Sequence, residues 1–162
     1  MVGVGEIAPD FEGRTGDGGK LALASLRGRP LVLYFYPKAN TLGCTIEARG
    51  FAEHYSEFQK AGVGVVGVSV DTVEDQHGFS EKCQLPFPLI ADADKSIARR
   101  YGALGLLGVA KRVTFLIDAD GKILEVHQGA LPGAHVKIAL ERLVTGSAVS
   151  GPKPSTPGDA GP

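Results

Sequence analysis

Only two cysteines occur among the 162 residues, too few for a disulfide scaffold. That usage suits a reducing compartment, where a disulfide is transient and catalytic. Neither sign of charge dominates: 17 basic residues against 18 acidic leave a net charge of -1, which gives no electrostatic footprint for nucleic acid or an anionic membrane. No apolar stretch approaches the length of a membrane span. The N-terminal Met1-Val-Gly-Val-Gly-Glu6 lacks a basic segment followed by an apolar one, so the expected location is the cytoplasm. Metal-ligand spacing is missing too. His54, His77, His127 and His135 lie far apart and are expected as surface or helix-cap residues, with no metal. Three residues after Cys44 stands Glu47, which excludes the Cys-x-x-Cys of a disulfide oxidoreductase.

What is present suits one globular domain: 43% hydrophobic and 22% charged residues are enough for a core of its own. The domain is expected over residues 1–146. From Ser147 to Pro162 the chain has four prolines, three glycines and one large apolar residue, Val149, and reads as a flexible tail. Apolar patterning predicts strands at Leu31–Tyr36, Val63–Val70, Pro88–Ala91, Arg112–Ile117 and Lys122–Gln128. Helices are predicted at Thr45–Lys60, Thr72–Cys83, Lys95–Tyr101 and Ala134–Val144. Asp71 and Glu74 have capping-box spacing, and Asp118-Ala-Asp-Gly121 reads as a hairpin turn. The fold class is therefore α/β with a mixed sheet. The strands on either side of the Cys44 helix should run parallel, the last two antiparallel, and the first thirty residues should add a small hairpin.

Leu31 to Tyr36 is an unbroken apolar run, ended by Pro37, and Cys44 follows where a helix begins. A cysteine in a first helical turn has unpaired N–H groups and the positive end of the macrodipole at its sulfur, which favours the nucleophilic thiolate. Thr41 offers a hydroxyl, Gly43 and Cys44 offer backbone N–H groups, and Pro37 is a rigid wall without a competing donor. Arg112 opens an apolar strand, an expensive place for a guanidinium unless it faces an anion.

Pro37-x-x-x-Thr41-x-x-Cys44 matches the active-site motif of the peroxiredoxins, and Tyr34 to Ala48 resembles their PrxQ subgroup closely. Ala8-Pro-Asp-Phe11, Leu85-Pro-Phe-Pro-Leu-Ile-Ala-Asp92 and Arg112-Val-Thr-Phe-Leu-Ile-Asp118 resemble family segments in the expected order. The resemblance implies a thioredoxin-like fold and a cofactor-free thiol peroxidase acting on hydrogen peroxide and organic hydroperoxides. It implies that Cys44 attacks, that Thr41, Pro37 and Arg112 complete the site, and that Glu47 holds Arg112. Many members carry the resolving cysteine five residues after the first, where this chain has Arg49. Others carry it on the helix before the Leu-Pro-Phe-Pro segment, and Cys83 lies at the end of such a helix, about a turn later than expected. The implied route is an internal disulfide recycled by thioredoxin or a similar dithiol, in a monomer. A one-cysteine peroxidase resolved by a small thiol and a redox-inactive thioredoxin-fold binding module are the alternatives.

Gly62-x-Gly64-x-x-Gly67 fits a dinucleotide fingerprint by letter. It follows a helix and runs into a β-branched segment, the reverse of the context that phosphate binding requires.

Overall fold

Leucine, valine and aromatic side chains on consecutive residues force Leu31–Phe35 into a strand buried on both faces, and every residue of it is enclosed in the computed structural model, which describes residues 1–146. In chain order the strands are β1 (Glu12–Thr15), β2 (Lys20–Ala22), β3 (Leu31–Phe35), β4 (Gly64–Ser69), β5 (Leu89–Ala91), β6 (Val113–Ile117) and β7 (Ile123–Gln128). The helices are α1 (Leu42–Glu53), α2 (Tyr55–Lys60), α3 (Val73–Cys83), α4 (Ser96–Tyr101) and α5 (Pro132–Ala139). The predicted tail, Ser147 to Pro162, lies outside the described residues.

One sheet holds all seven strands, in the order β2-β1-β5-β4-β3-β6-β7. β3, β4 and β5 run parallel, as a strand–helix–strand order requires, and β6 and β7 continue the sheet antiparallel to β3. The Asp118–Gly121 turn joins β6 to β7, with Asp118 Oδ1 accepting from the Asp120 and Lys122 amides. The N-terminal hairpin is present, and β1 extends the sheet by pairing antiparallel with β5. This is the expected mixed α/β architecture with helices on both faces.

The pleat sorts β3 into two cores. Leu31, Leu33 and Phe35 join Phe11, Val66, Ile90, Tyr101 and Phe115 on one face. Val32, Tyr34 and Tyr36 join Cys44, Phe51, Phe58, Phe79 and Phe87 on the other. Gly67 of β4 belongs to this second face: a Cβ there would stand 2.9 Å from Tyr34 Cζ and 2.8 Å from Leu89 Cδ2. The glycine makes room for the tyrosine ring, which accounts for the fingerprint-like spacing without any phosphate.

Four predicted details change. The helix predicted over Thr45–Lys60 is two helices, broken at His54. Seven residues of straight helix would separate Phe51 from Phe58 by about 10 Å. The break brings their ring centroids to 6.1 Å within one core. Thr72, rather than Asp71, caps α3, its hydroxyl accepting from the Asp75 amide at 3.1 Å. Asp71 turns inward instead, accepting from the Ala39 amide and the Ser69 hydroxyl. The last predicted helix starts earlier, at Pro132, and finishes in a π-helical stretch over Leu140–Thr145.

Candidate active site

The turn after β3 carries the site. Tyr36 continues the strand by donating its amide to Val68 O at 3.0 Å, and Asp71 grips the Ala39 amide at 2.8 Å. Asn40 takes the left-handed conformation, φ 65°, which asparagine tolerates better than most residues. These contacts deliver Thr41 as the residue preceding α1 and Cys44 as its third residue. The Cys44 side chain is buried within the second core.

Arg112 reaches this sulfur from the residue before β6. Its Nη2 donates to Cys44 Sγ at 3.4 Å and its Nη1 to Glu47 Oε1 at 2.5 Å. Glu47 lies one turn after Cys44 on α1 and is fully enclosed. Gly43 completes the packing. A Cβ at that position would lie 2.9 Å from Arg112 Nη2 and 3.8 Å from Pro132 Cγ.

Burial pushes the Glu47 carboxyl up to about 7, against the pull of the Arg112 charge. Desolvation works against the charge of Arg112, but Glu47 and then Cys44 more than offset it and raise its proton affinity. The guanidinium is thus a fixed positive charge between two acidic groups.

The other predicted residues fall as follows. Pro37 is half-buried at the end of β3. Thr41 is exposed, and its hydroxyl donates to the Lys38 carbonyl at 2.8 Å rather than to the sulfur. Cys83 ends α3, is partly buried, and packs against the core that contains Cys44; both thiols are free.

Of the four histidines, His135 is not a surface or cap residue: it is fully enclosed beside this site. Its Nδ1 lies 2.8 Å from Thr114 Oγ1 and 3.7 Å from Glu47 Oε2. The buried Tyr34 hydroxyl has no hydrogen-bond partner among the described residues. The position of His135 four residues before Ala139, on one stripe of α5, is the signal that marks it as inward-facing.

The sequence profile of the AhpC/TSA family matches residues 4–126. The chain belongs to this family. It is 38% identical over 146 residues to peroxiredoxin Bcp of Escherichia coli strain K12, covering 86% of this chain and 94% of that protein. Its fold superposes on the peroxidoxin BcpB of Mycobacterium tuberculosis with a TM-score of 0.86 and 36% identity, over 93% of this chain and all of that one. Similar too is the bacterioferritin comigratory protein of Xanthomonas campestris, studied as trapped intermediate and ligand complexes of its alkyl peroxide reduction. That match has a TM-score of 0.78 and 31% identity over 82% of this chain and 89% of that one. The chain is a peroxiredoxin of the Bcp/PrxQ kind, a thiol peroxidase acting on hydroperoxides. Among the described residues, no helix is long and apolar enough to cross a membrane.

Proposed function

We propose that Cys44 is the attacking thiolate of this peroxidase, on hydrogen peroxide and on organic hydroperoxides of the alkyl type, and that Arg112 is its charge partner. The carrying observation is the Arg112 guanidinium held by Glu47 with Nη2 3.4 Å from the sulfur. That geometry favours negative charge on Cys44 before attack and on the peroxide oxygens during it. The sulfur takes one peroxide oxygen, the O–O bond breaks, and the leaving oxygen departs with a proton as water or an alcohol. Cys44 is left as a sulfenic acid. In this reading Pro37 walls the peroxide pocket, the Gly43 and Cys44 amides at the start of α1 serve as further donors to it, and the Thr41 hydroxyl turns from Lys38 when the peroxide enters.

Cys83 then condenses with the sulfenic acid, releasing water and forming an internal disulfide, which a thioredoxin-type dithiol reduces by exchange. Its packing against the Cys44 core supports this role. Both cysteines sit in helices, so the disulfide requires local unwinding. Gly78 supports that step at α3: a Cβ there would meet nothing within 4 Å, so the glycine lowers helix stability without any packing demand. The reading extends to a monomer working in the cytoplasm without a bound cofactor.

Intact mass after one equivalent of peroxide tests the route. The expected product has lost two hydrogens. A persistent gain of one oxygen would instead support the one-cysteine route with a small-thiol reductant.

A further inference from the structure

Glu47, Thr114 and His135 form a fully buried cluster behind the Arg112 guanidinium. His135 Nε2 lies 2.8 Å from the Gly129 carbonyl, which can only accept, so Nε2 carries a hydrogen. Burial pulls the imidazole down to about 4, so the ring is neutral near pH 7. With the hydrogen on Nε2, Nδ1 is an acceptor, and the Thr114 hydroxyl donates to it at 2.8 Å.

Glu47 Oε2 lies 3.7 Å from that same Nδ1 and has no hydrogen-bond partner among the described residues. When the carboxyl is ionised, two acceptors therefore face one another, and because the ring is neutral the contact is not an ion pair. Arg112, from the residue before β6, donates to the other oxygen. The remaining groups around the pair are Cys44 on the same helix, Tyr34 from β3, and His127 from β7, whose ring meets His135 edge-on at 4.6 Å. Arg112 is the one fixed cation among them.

We propose that His135 is a positioning residue for hydroperoxide reduction: locked by Thr114 and Gly129, it shows Glu47 an acceptor instead of a donor and leaves Arg112 as the carboxyl's sole partner. The inference rests on the thiol-peroxidase reading of Cys44. A histidine with hydrogen on Nδ1 would donate to Oε2, divide the hold of the carboxyl and let the guanidinium swing from the sulfur. Displacements of about 1 Å at a reacting centre cost up to about 10²-fold in rate.

Thr114→Val tests this at nearly constant shape, because it removes the hydroxyl that occupies Nδ1 and frees that nitrogen to take a proton. Stopped-flow oxidation of Cys44 by hydrogen peroxide is expected to slow about tenfold in this variant. Disulfide formation and its reduction should keep their rates, and Thr114→Ser, which retains the hydroxyl, should return the peroxide step to within about twofold of the natural protein. A folded Thr114→Val that oxidises at the natural rate overturns the proposal. Nitrogen-15 shifts of His135 in the unaltered protein give a second test that needs no variant: Nε2 protonated and Nδ1 bare at pH 7 is the expected pattern, and a proton on Nδ1 overturns it. An unaltered protein that leaves peroxide untouched breaks the peroxidase reading itself, an outcome separate from either of these.

Discussion

The two faces of the sheet draw on the same strands and treat polar groups in opposite ways. On the face covered by α4 and the N-terminal segment, the Tyr101 hydroxyl donates to the Pro9 carbonyl at 2.7 Å, and the buried Asp92 carboxylate accepts from the Ile97 and Ala98 amides. On the face covered by α1, α3 and α5, the Tyr36 hydroxyl finds Gln76, but the Tyr34 hydroxyl and Glu47 Oε2 find no partner among the described residues. Buried unpaired polar groups cost about 1–3 kcal/mol each. The first face is built to hold the fold together. The second gives up stability around one sulfur and one guanidinium, and it is the face where the chemistry is proposed to occur.

Removing either member of that pair should break the contrast most severely. Cys44→Ser is expected to abolish peroxide consumption while circular dichroism stays unchanged, because serine has no ionised sulfur to attack with. Residual turnover near the natural level would sink the assignment. Arg112→Ala should slow the peroxide step by roughly 10²-fold or more without slowing disulfide exchange. Stopped-flow oxidation at an undiminished rate would refute the role given to Arg112.

A gentler change tests the geometry. Gly43→Ala places a methyl group against Arg112 Nη2, and because Glu47 pins that side chain, the guanidinium itself must give way. The peroxide step should fall by about tenfold, less than full removal of the charge, with little change in melting temperature. An unchanged rate would show that the contact to sulfur tolerates displacement.

Paired tyrosine variants read the difference between the faces directly. Tyr34→Phe removes a buried hydroxyl without a partner and should stabilise the protein by about 1 kcal/mol in urea unfolding, whereas Tyr101→Phe strands the Pro9 carbonyl and should cost about as much. Equal signs for the two would erase the distinction.

The smallest effect is the pH dependence of stability. Glu47 rises from 4.5 to about 7 on folding, so the folded state binds the extra proton between those values and stability falls as pH rises through that window. His135 drops from 6.5 to about 4, so its contribution grows as pH rises from about 4 to 6.5. The two oppose each other where the windows overlap. In Glu47→Gln only the histidine term remains, and unfolding free energy should climb from pH 4 to 6.5 more steeply than in the natural protein. Parallel curves for both proteins would refute this.

Much of this arrangement is legible in the sequence because local chemistry and tertiary demand agree there. The apolar run into Pro37, the cysteine at the start of a helix, and an arginine opening an apolar strand each carry their reason in the residues themselves. The break at His54 does not, since the apolar periodicity runs through it, and the Phe51–Phe58 contact that accompanies the break is visible only in the fold. Nor does the cap at Thr72: Asp71 has the better-known spacing, but its carboxylate is drawn off to hold the turn before Cys44. Buried polar residues were hardest to read. A histidine's place in a core depends on Thr114 and Gly129, which lie on other elements.

The aromatic floor under Cys44 also makes this protein optically legible. Without tryptophan, its near-ultraviolet emission belongs to four tyrosines. One of them, Tyr34, stacks on Phe51 of α1 at 4.6 Å and neighbours Tyr36 at 5.5 Å. Were the proposed disulfide exchange to unwind α1 as far as Phe51, that stack would open, and the oxidation cycle could be followed by native fluorescence with no dye and no engineered probe.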